Sequence, residues 1–325
     1  MNTHRPLRTG PVVCVGETMA ALAPDPLGPL DGADLLRVDI AGAESNVALY
    51  LADHGIPVRW VSAVGDDPFG RRVRARVAAG GVDVSGVRTD PGRPTGLLFK
   101  DPGPHGTRVH YRRAGSAASA LTPDVLDGPA FTDAALVHLS GITPALSRGC
   151  RGLVDHALRP DRPWPVSFDV NHRPALWADR SAADVLRGLA DRADIVLVGL
   201  DEAQALWGDG VTDAERVRDL LPGPHLLVVK DGDRAATAFV GAEPHVVPAL
   251  KVRVAEPVGA GDAFAAGFLG GLLRRLSVDR ALRLGHLTAA SALRVAADHG
   301  PLLDGACVAA LLDADEEAWR AAVID

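Results

Sequence analysis

The run Gly259-Ala260-Gly261-Asp262, opening the apolar stretch Ala263-Phe264-Ala265-Ala266-Gly267-Phe268, sets two glycines and a carboxylate at the start of a predicted helix. Glycine lets a backbone approach a ligand closely. The first N–H groups of a helix have no intrahelical partner, and with the helix dipole they suit an anion such as a phosphate. Asp262 then stands where it can take a proton from an attacking hydroxyl. One element thus offers an anion hole and a base, the two halves of a phosphoryl-transfer site. The same residues also fit an ordinary loop-to-helix turn with an aspartate stabilised by the dipole. Two familiar phosphate patterns do not apply. G-x-x-x-x-G-K-[ST] is absent, and Phe264 takes the third glycine's place in G-x-G-x-x-G.

Other chemistry-bearing residues gather near predicted strand ends. Tyr111 and Arg113 lie two apart on a predicted strand and so face the same side. Arg173 follows the strand Val166–Phe168 at its C-terminal end, where open α/β sheets bind ligands. Two converging arginines suit a carboxylate, which guanidinium binds bidentately; each is also an ordinary surface arginine in an arginine-rich chain. Asp169 and Asn171 flank the same strand end, to orient Arg173, to touch a substrate or to form an Asx turn. Gly42 and Asn46 start a helix, the glycine permitting close approach and the asparagine offering both donor and acceptor, or capping the helix. Lys230, in Lys230-Asp231-Gly232, follows the strand Leu226–Val229 and either neutralises a phosphate or caps that strand. His138 reads as a satisfied buried histidine, and His172 as spacing.

The elements that position these groups follow from hydrophobic periodicity. Val12–Val15, Arg59–Val64, Leu136–Leu139, Val166–Phe168, Ile195–Val198 and Leu226–Val229 read as buried strands. Ser45–Asp53, Pro68–Ala79, Leu146–Leu158, Ala182–Asp191 and Ala214–Leu221 read as helices, and the chain after Ala260 as mostly helical. This alternation predicts an α/β fold, a Rossmann-like parallel sheet flanked by helices, in a single domain over residues 1–325. Two segments, 21–41 and 94–113, break the rhythm with strand-like pieces and turns. Leu97–Lys100 and Thr107–Arg112 form a predicted hairpin around Pro102-Gly103-Pro104, and the two segments pair into a small β-lid or serve as surface loops.

Composition narrows the function classes. The chain has 325 residues, 47% hydrophobic, and a net charge of −7, which disfavours nucleic acid and anionic membranes as partners. Cys14, Cys150 and Cys307 are widely spaced without metal-ligand spacing and read as reduced, mostly buried thiols of a cytoplasmic protein. The apolar run Val12–Val15 is too short for a signal peptide, and no segment approaches the length of a membrane span.

Six stretches in order resemble the ribokinase-like (PfkB) family of ATP-dependent carbohydrate kinases, most nearly its 2-keto-3-deoxygluconate kinases. They are Gly42-Ala43-Glu44-Ser45-Asn46-Val47-Ala48, Val64-Gly65-Asp66-Asp67-Pro68-Phe69-Gly70, Tyr111-Arg112-Arg113-Ala114-Gly115-Ser116-Ala117-Ala118-Ser119, Ser140-Gly141-Ile142, Phe168-Asp169-Val170-Asn171-His172-Arg173-Pro174 and Gly259-Ala260-Gly261-Asp262. The resemblance implies transfer of the ATP γ-phosphoryl group to a hydroxyl of an acidic keto-sugar, with Asp262 as base and Gly259, Ala260 and Gly261 as anion hole. It implies a sugar site of Gly42, Asn46, Tyr111, Arg113, Ile142, Asp169, Asn171 and Arg173. It implies a nucleotide site of Lys230, Gly232, Gly259, Gly261, Thr288 and Ala289, with Mg²⁺ held by phosphates and water and linked indirectly to Glu202. A homo-oligomer formed through the lid strands is also expected, since an exposed sheet edge or face seeks cover. Three places depart from the family pattern: Gly199 stands for the asparagine of N-x-x-E, Glu256-Pro257-Val258 stands for Asp-Thr-x, and Ala41-Gly42 for a glycine pair. The second puts activation by a monovalent cation in doubt. A kinase for a neutral sugar or nucleoside, or a sugar-binding protein without catalysis, is the alternative reading.

Overall fold

Short apolar runs bounded by turns pair into a sheet that is buried on both faces. In this computed structural model, residues 5–103, 106–177, 181–295 and 297–324 are described. The strands are β1 (Val12–Val15), β2 (Met19–Pro24), β3 (Leu36–Ala41), β4 (Val58–Gly65), β5 (Val87–Asp90), β6 (Leu97–Gly103), β7 (Gly106–Arg112), β8 (Leu136–Ser140), β9 (Val166–Asp169), β10 (Ile195–Gly199), β11 (Leu226–Asp231), β12 (Ala235–Val240) and β13 (Glu243–Pro248). The helices that matter most for the site are α1 (Ala43–Asp53), α2 (Pro68–Ala79), α3 (Thr143–Leu146), α4 (Arg148–Ala157), α5 (Ala182–Ala190), α6 (Leu200–Trp207), α7 (Ala214–Leu220), α8 (Ala260–Leu273) and α9 (Val278–Leu293).

The main sheet has nine strands in the order β13-β12-β11-β10-β9-β8-β1-β4-β5. The chain runs outward from β1 through β4 and β5 on one side, and from β8 through β11 on the other. The order therefore reverses between β1 and β8, the place where an open α/β sheet opens a ligand crevice. Side chains alternate across the sheet with a period of two. Val12 and Cys14 join the core that α1, α8 and α9 cover, whereas Val13 and Val15 join the core under α4 and α5. Ile195 and Leu197 divide from Val196 and Val198 in the same way.

One expectation needs correcting: the sheet is parallel only as far as β11. β12 and β13 add an antiparallel edge, since a tight turn closed by Arg234 N–H donating to the Asp231 carbonyl (2.9 Å) can only return the chain antiparallel. The Asp231-Gly232 pair is a hairpin signal that marks this turn in the sequence. Helix α2 matches its predicted bounds because Asp67 caps it, accepting from Gly70 N–H at 2.7 Å, and Pro68 occupies the first helical position.

The two irregular segments do pair. β3-β2-β6-β7 form a separate four-stranded sheet, with β6 and β7 as the antiparallel hairpin and β2 and β6 parallel. Pro104, named for the hairpin turn, lies outside the described residues. One face of this lid carries its own apolar cluster of Met19, Ala21, Ala41 and Leu98, with Val109 and Tyr111 beside it. Among the described residues no helix is long and apolar enough to cross a membrane.

Candidate active site

The lid faces the C-terminal ends of the parallel strands across a cleft of about 420 Å³. Gly42 and Asn46 of α1, Tyr111 of the lid, Ile142, Asn171, Arg173, Glu202, Lys230, Gly259, Gly261 and Asp262 all line it. These residues come from separate parts of the chain, and the strand ends bring them together.

The floor of the cleft is the start of α8. Gly259 caps that helix in the left-handed region (φ +86°), and a Cβ there would lie 2.7 Å from the Asp298 carbonyl oxygen. Only glycine accepts both conditions at low cost. The α8 N-terminal amides open toward the cleft, and a Cβ on Gly261 would meet only the Lys230 Nζ, at 3.6 Å. The arrangement fits a phosphate: the N-terminal, positive end of a helix dipole and an ammonium meet at the cleft floor. Ala260 is half-buried, does not line the cleft, and donates its N–H to the Pro257 carbonyl at 3.4 Å.

Asp262 is buried in the first turn of α8 and held by two side-chain amides. Asn46 Nδ2 donates to Oδ2 at 2.9 Å, and Asn171 Nδ2 donates to Oδ1 at 3.1 Å. Asn46 is therefore not the cap of α1, which is Gly42; it lies inside the helix and points into the cleft. Gly42 is required by close approach, since a Cβ would lie 2.4 Å from the Glu17 carbonyl oxygen. Asn171 adopts φ +37°, a region that asparagine tolerates better than most residues, and this aims its amide at Asp262. Burial pushes the Asp262 carboxyl up to about 7; the Asn46 hydrogen bond opposes this, the Asp169 charge adds to it, and Arg173 and Lys230 oppose it. A carboxylate with that proton affinity can accept a hydroxyl proton near neutral pH.

The ends of β9, β10 and β11 carry a charge network. Lys230 Nζ lies 3.1 Å from Asp169 Oδ2, and the side chain of Asp169 is 3% exposed. Asp169 thus holds Lys230 in place and does not orient Arg173. Burial works against the Lys230 ammonium, but Asp169 and Glu202 more than offset it and hold its proton affinity above the ordinary lysine value. Glu202 accepts from the Gly199 N–H at 2.9 Å and lies 3.8 Å from Arg173. Burial raises the Glu202 carboxyl, with Lys230 opposing. Arg173 keeps its side chain 48% exposed beside the cleft. His138 is satisfied as expected: its Nδ1 pairs with Ser167 Oγ at 2.9 Å, and burial drives the ring down to about 4.

Several expected residues sit elsewhere. Arg113 does not converge with Arg173. It is buried beside Glu17, donating from Nε to Oε2 at 2.6 Å, because Glu17 would otherwise be an unpaired buried charge. Thr288, expected near the adenine, does not line the cleft: its hydroxyl lies between the Leu284 carbonyl (2.7 Å) and His54 Nε2 (2.8 Å), inside the packing of α9 against α8. Ala289 is half-buried against the same core, and Gly232 is exposed in the turn into β12 with φ +54°, neither lining the cleft. Conversely, Lys100 and Asp298 line the cleft, joined at 2.7 Å, and no sequence argument had singled them out. Lys100 shares a strand face with Leu98, a signal readable from period two; Asp298 has no local signal at all.

Comparison with known proteins agrees with this geometry. The profile of pfkB family carbohydrate kinases matches residues 10–302. A 2-dehydro-3-deoxygluconokinase of Thermoproteus tenax is 37% identical over 87% of this chain and 88% of its own length. One from Bacillus subtilis (strain 168) is 35% identical over 88% of this chain and 89% of its own. The crystal structure of a PfkB protein from Polaromonas sp. JS666 superposes with a TM-score of 0.76 at 37% identity, covering 86% of this chain and 94% of that one. On the family profile, the long coverage and the shared fold, this chain belongs to the pfkB family of carbohydrate kinases.

Proposed function

We propose that this kinase transfers the γ-phosphoryl group of ATP to a hydroxyl of an acidic keto-sugar, with 2-keto-3-deoxygluconate as the favoured acceptor. The observation that carries the reading is Asp262, held by two amides at the cleft floor beside the N-terminus of α8. In the proposed step the sugar hydroxyl gives its proton to the Asp262 carboxylate while its oxygen attacks the γ-phosphorus. The bond from that phosphorus to the β–γ bridging oxygen breaks, ADP leaves, and Asp262 returns the proton to solvent. The Gly259–Gly261 turn receives the charge on the equatorial phosphoryl oxygens, and Lys230 adds an ammonium at the same place.

Mg²⁺ supplies charge neutralisation on the phosphates in this chemistry. Among the described residues no group of three or more His, Cys, Asp or Glu side chains is placed to hold a metal ion. In this reading the ion would be carried in by ATP and water, and Glu202, which lines the cleft, would be the carboxylate nearest to hand. Glu256 accepts from Thr107 Oγ1 at 3.3 Å, so this departure from the family pattern is engaged with the lid.

The preference for an acid rests on Arg173, whose guanidinium stays half-exposed beside the cleft with Glu202 as its ionic neighbour at 3.8 Å. The names of the relatives point the same way. ADP release should be measured with Mg²⁺ on 2-keto-3-deoxygluconate, its galactonate epimer, fructose and ribose, for wild type and Arg173→Ala. The wild type should favour the acids. The variant should lose about 10- to 100-fold in kcat/KM on them, the worth of a charge-assisted hydrogen bond, and change little on fructose. Equal losses on both kinds of sugar would remove Arg173 as the carboxylate ligand. Activity on neutral sugars alone would overturn the substrate assignment.

The raised Asp262 carboxyl gives a pH signature. The base works deprotonated, so kcat/KM should climb with pH through about 7 and level off above it. A profile flat between about pH 6 and 8 would separate the rate from this group.

A further inference from the structure

The lid touches the phosphoryl-binding turn on both of its sides. Lys100, on lid strand β6, donates from Nζ to Asp298 Oδ1 at 2.7 Å, and both side chains are close to fully buried, 11% and 9% exposed. The Asp298 backbone packs directly behind Gly259, as the 2.7 Å approach of a Cβ there to its carbonyl oxygen shows. The following residues fix this loop to α1: Gly300 N–H donates to Tyr50 Oη at 2.9 Å, and His299 pairs with Asp53 at 2.7 Å. On the other side, Thr107 of β7 donates to Glu256, three residues before Gly259.

We propose that Lys100 is a positioning residue: through Asp298 it sets the lid against the loop that backs Gly259, so that the anion-binding turn takes its working shape when the lid is down. The assignment rests on the kinase reading of the cleft and adds to it a residue that acts through another. The physical argument is the pairing itself. Two charges taken out of water are favourable together only when both partners stay in place. Lid strand and loop are 198 positions apart in sequence, so only the folded chain brings them together. With the lid raised, water would solvate both groups. On closing, the pair forms at one register of the lid on the loop, and the left-handed Gly259 behind Asp298 is held in that register. A direct role for the Lys100 ammonium, on a substrate carboxylate or phosphate, is the competing reading, since Lys100 also lines the cleft.

The test compares Lys100→Met, Lys100→Arg, Asp298→Asn and the exchanged double variant Lys100→Asp/Asp298→Lys, each checked for a cooperative thermal transition. Lys100→Met and Asp298→Asn should each lower kcat at least tenfold with sugar KM changed less than threefold. Lys100→Arg should recover most of the rate, and the exchanged pair should be several-fold faster than Lys100→Met. Amide hydrogen exchange in β6 and β7, with a non-hydrolysable ATP analogue bound, should be faster in Lys100→Met than in wild type. A rise of tenfold or more in sugar or ATP KM at unchanged kcat would assign Lys100 to the substrate instead and overturn the proposal. So would an exchanged variant that folds but is no faster than Lys100→Met. If the exchanged variant does not fold, unchanged lid exchange in Lys100→Met is the overturning result. All comparisons run on whichever sugar the wild type uses, so a wrong acceptor assignment shows as wild-type preference and leaves the comparison intact.

Discussion

Asp262→Asn is expected to lower kcat by about 10²- to 10⁴-fold while sugar binding stays within a few-fold of wild type. The new side chain has nearly the same shape, so the cleft keeps its outline. What is lost is the carboxylate in the first turn of α8 that accepts the hydroxyl proton. In the native site Asn46 and Asn171 both present Nδ2 to the carboxylate, at 2.9 and 3.1 Å. A carboxylate accepts both; an amide accepts at one oxygen and presents donors at the other end, so one neighbouring amide must turn over. That adjustment is local and leaves Arg173 and Lys230 where they are. Steady-state ADP release together with calorimetric titration of the sugar separates the two effects. Activity above about a tenth of wild type would exclude Asp262 as the base, because general-base catalysis is worth 10² or more. Loss of binding in parallel with rate would make it a substrate ligand first.

The sequence carries this fold where local rules decide. Strands β1, β8, β9 and β10 are short, mostly apolar runs buried at every position, and their predicted and observed bounds differ by at most one residue. Asp67-Pro68 marks the start of α2 because the cap and the fixed proline φ are both local. What escaped are features set by tertiary contact or by turn geometry. β12 and β13 are visible only if Asp231-Gly232 is read as a hairpin turn and not as a nucleotide motif. In the site, Asn46, Asn171, Arg173, Lys230 and Asp262 were identifiable by residue type at strand and helix ends, and the cleft gathers them. Their partners were not. Asp169 was expected near a substrate and instead holds Lys230, a pairing 61 positions apart. Thr288 looked available for a ligand in one dimension; its hydroxyl is taken up by Leu284 and His54 once α8, α9 and α1 pack. A sequence pattern indicates which residues have useful chemistry, whereas burial decides which of them remain free to use it.

Arg113 shows that difference in its strongest form, and it leads to the second large effect. Its side chain is 8% exposed and that of Glu17 is 1%, with Nε and Nη2 both on Glu17 Oε2. Ser116 Oγ donates to the other oxygen, Oε1, and a Cβ on Gly96 would come within 2.6 Å of that same atom. Glu17 lies where the chain leaves β1 for the lid, Gly96 where it re-enters the lid before β6, and Arg113 and Ser116 where it leaves β7. One buried pair therefore ties three of the chain passages that join the lid to the main sheet. Arg113→Ala leaves the Glu17 carboxylate buried with only a serine partner, and removal of one member of a buried pair costs about 3–5 kcal/mol. Urea and thermal unfolding should show a loss of that size. Any surviving activity should fall by the same factor on 2-keto-3-deoxygluconate and on fructose, since a displaced hinge misplaces the lid for every sugar. The double variant Glu17→Gln/Arg113→Met should be more stable than Arg113→Ala, because it leaves no charge behind. The opposite pattern, wild-type stability with a loss confined to acidic sugars, would mean that Arg113 exchanges Glu17 for the substrate carboxylate and that the pair is not a fixed clamp of the hinge.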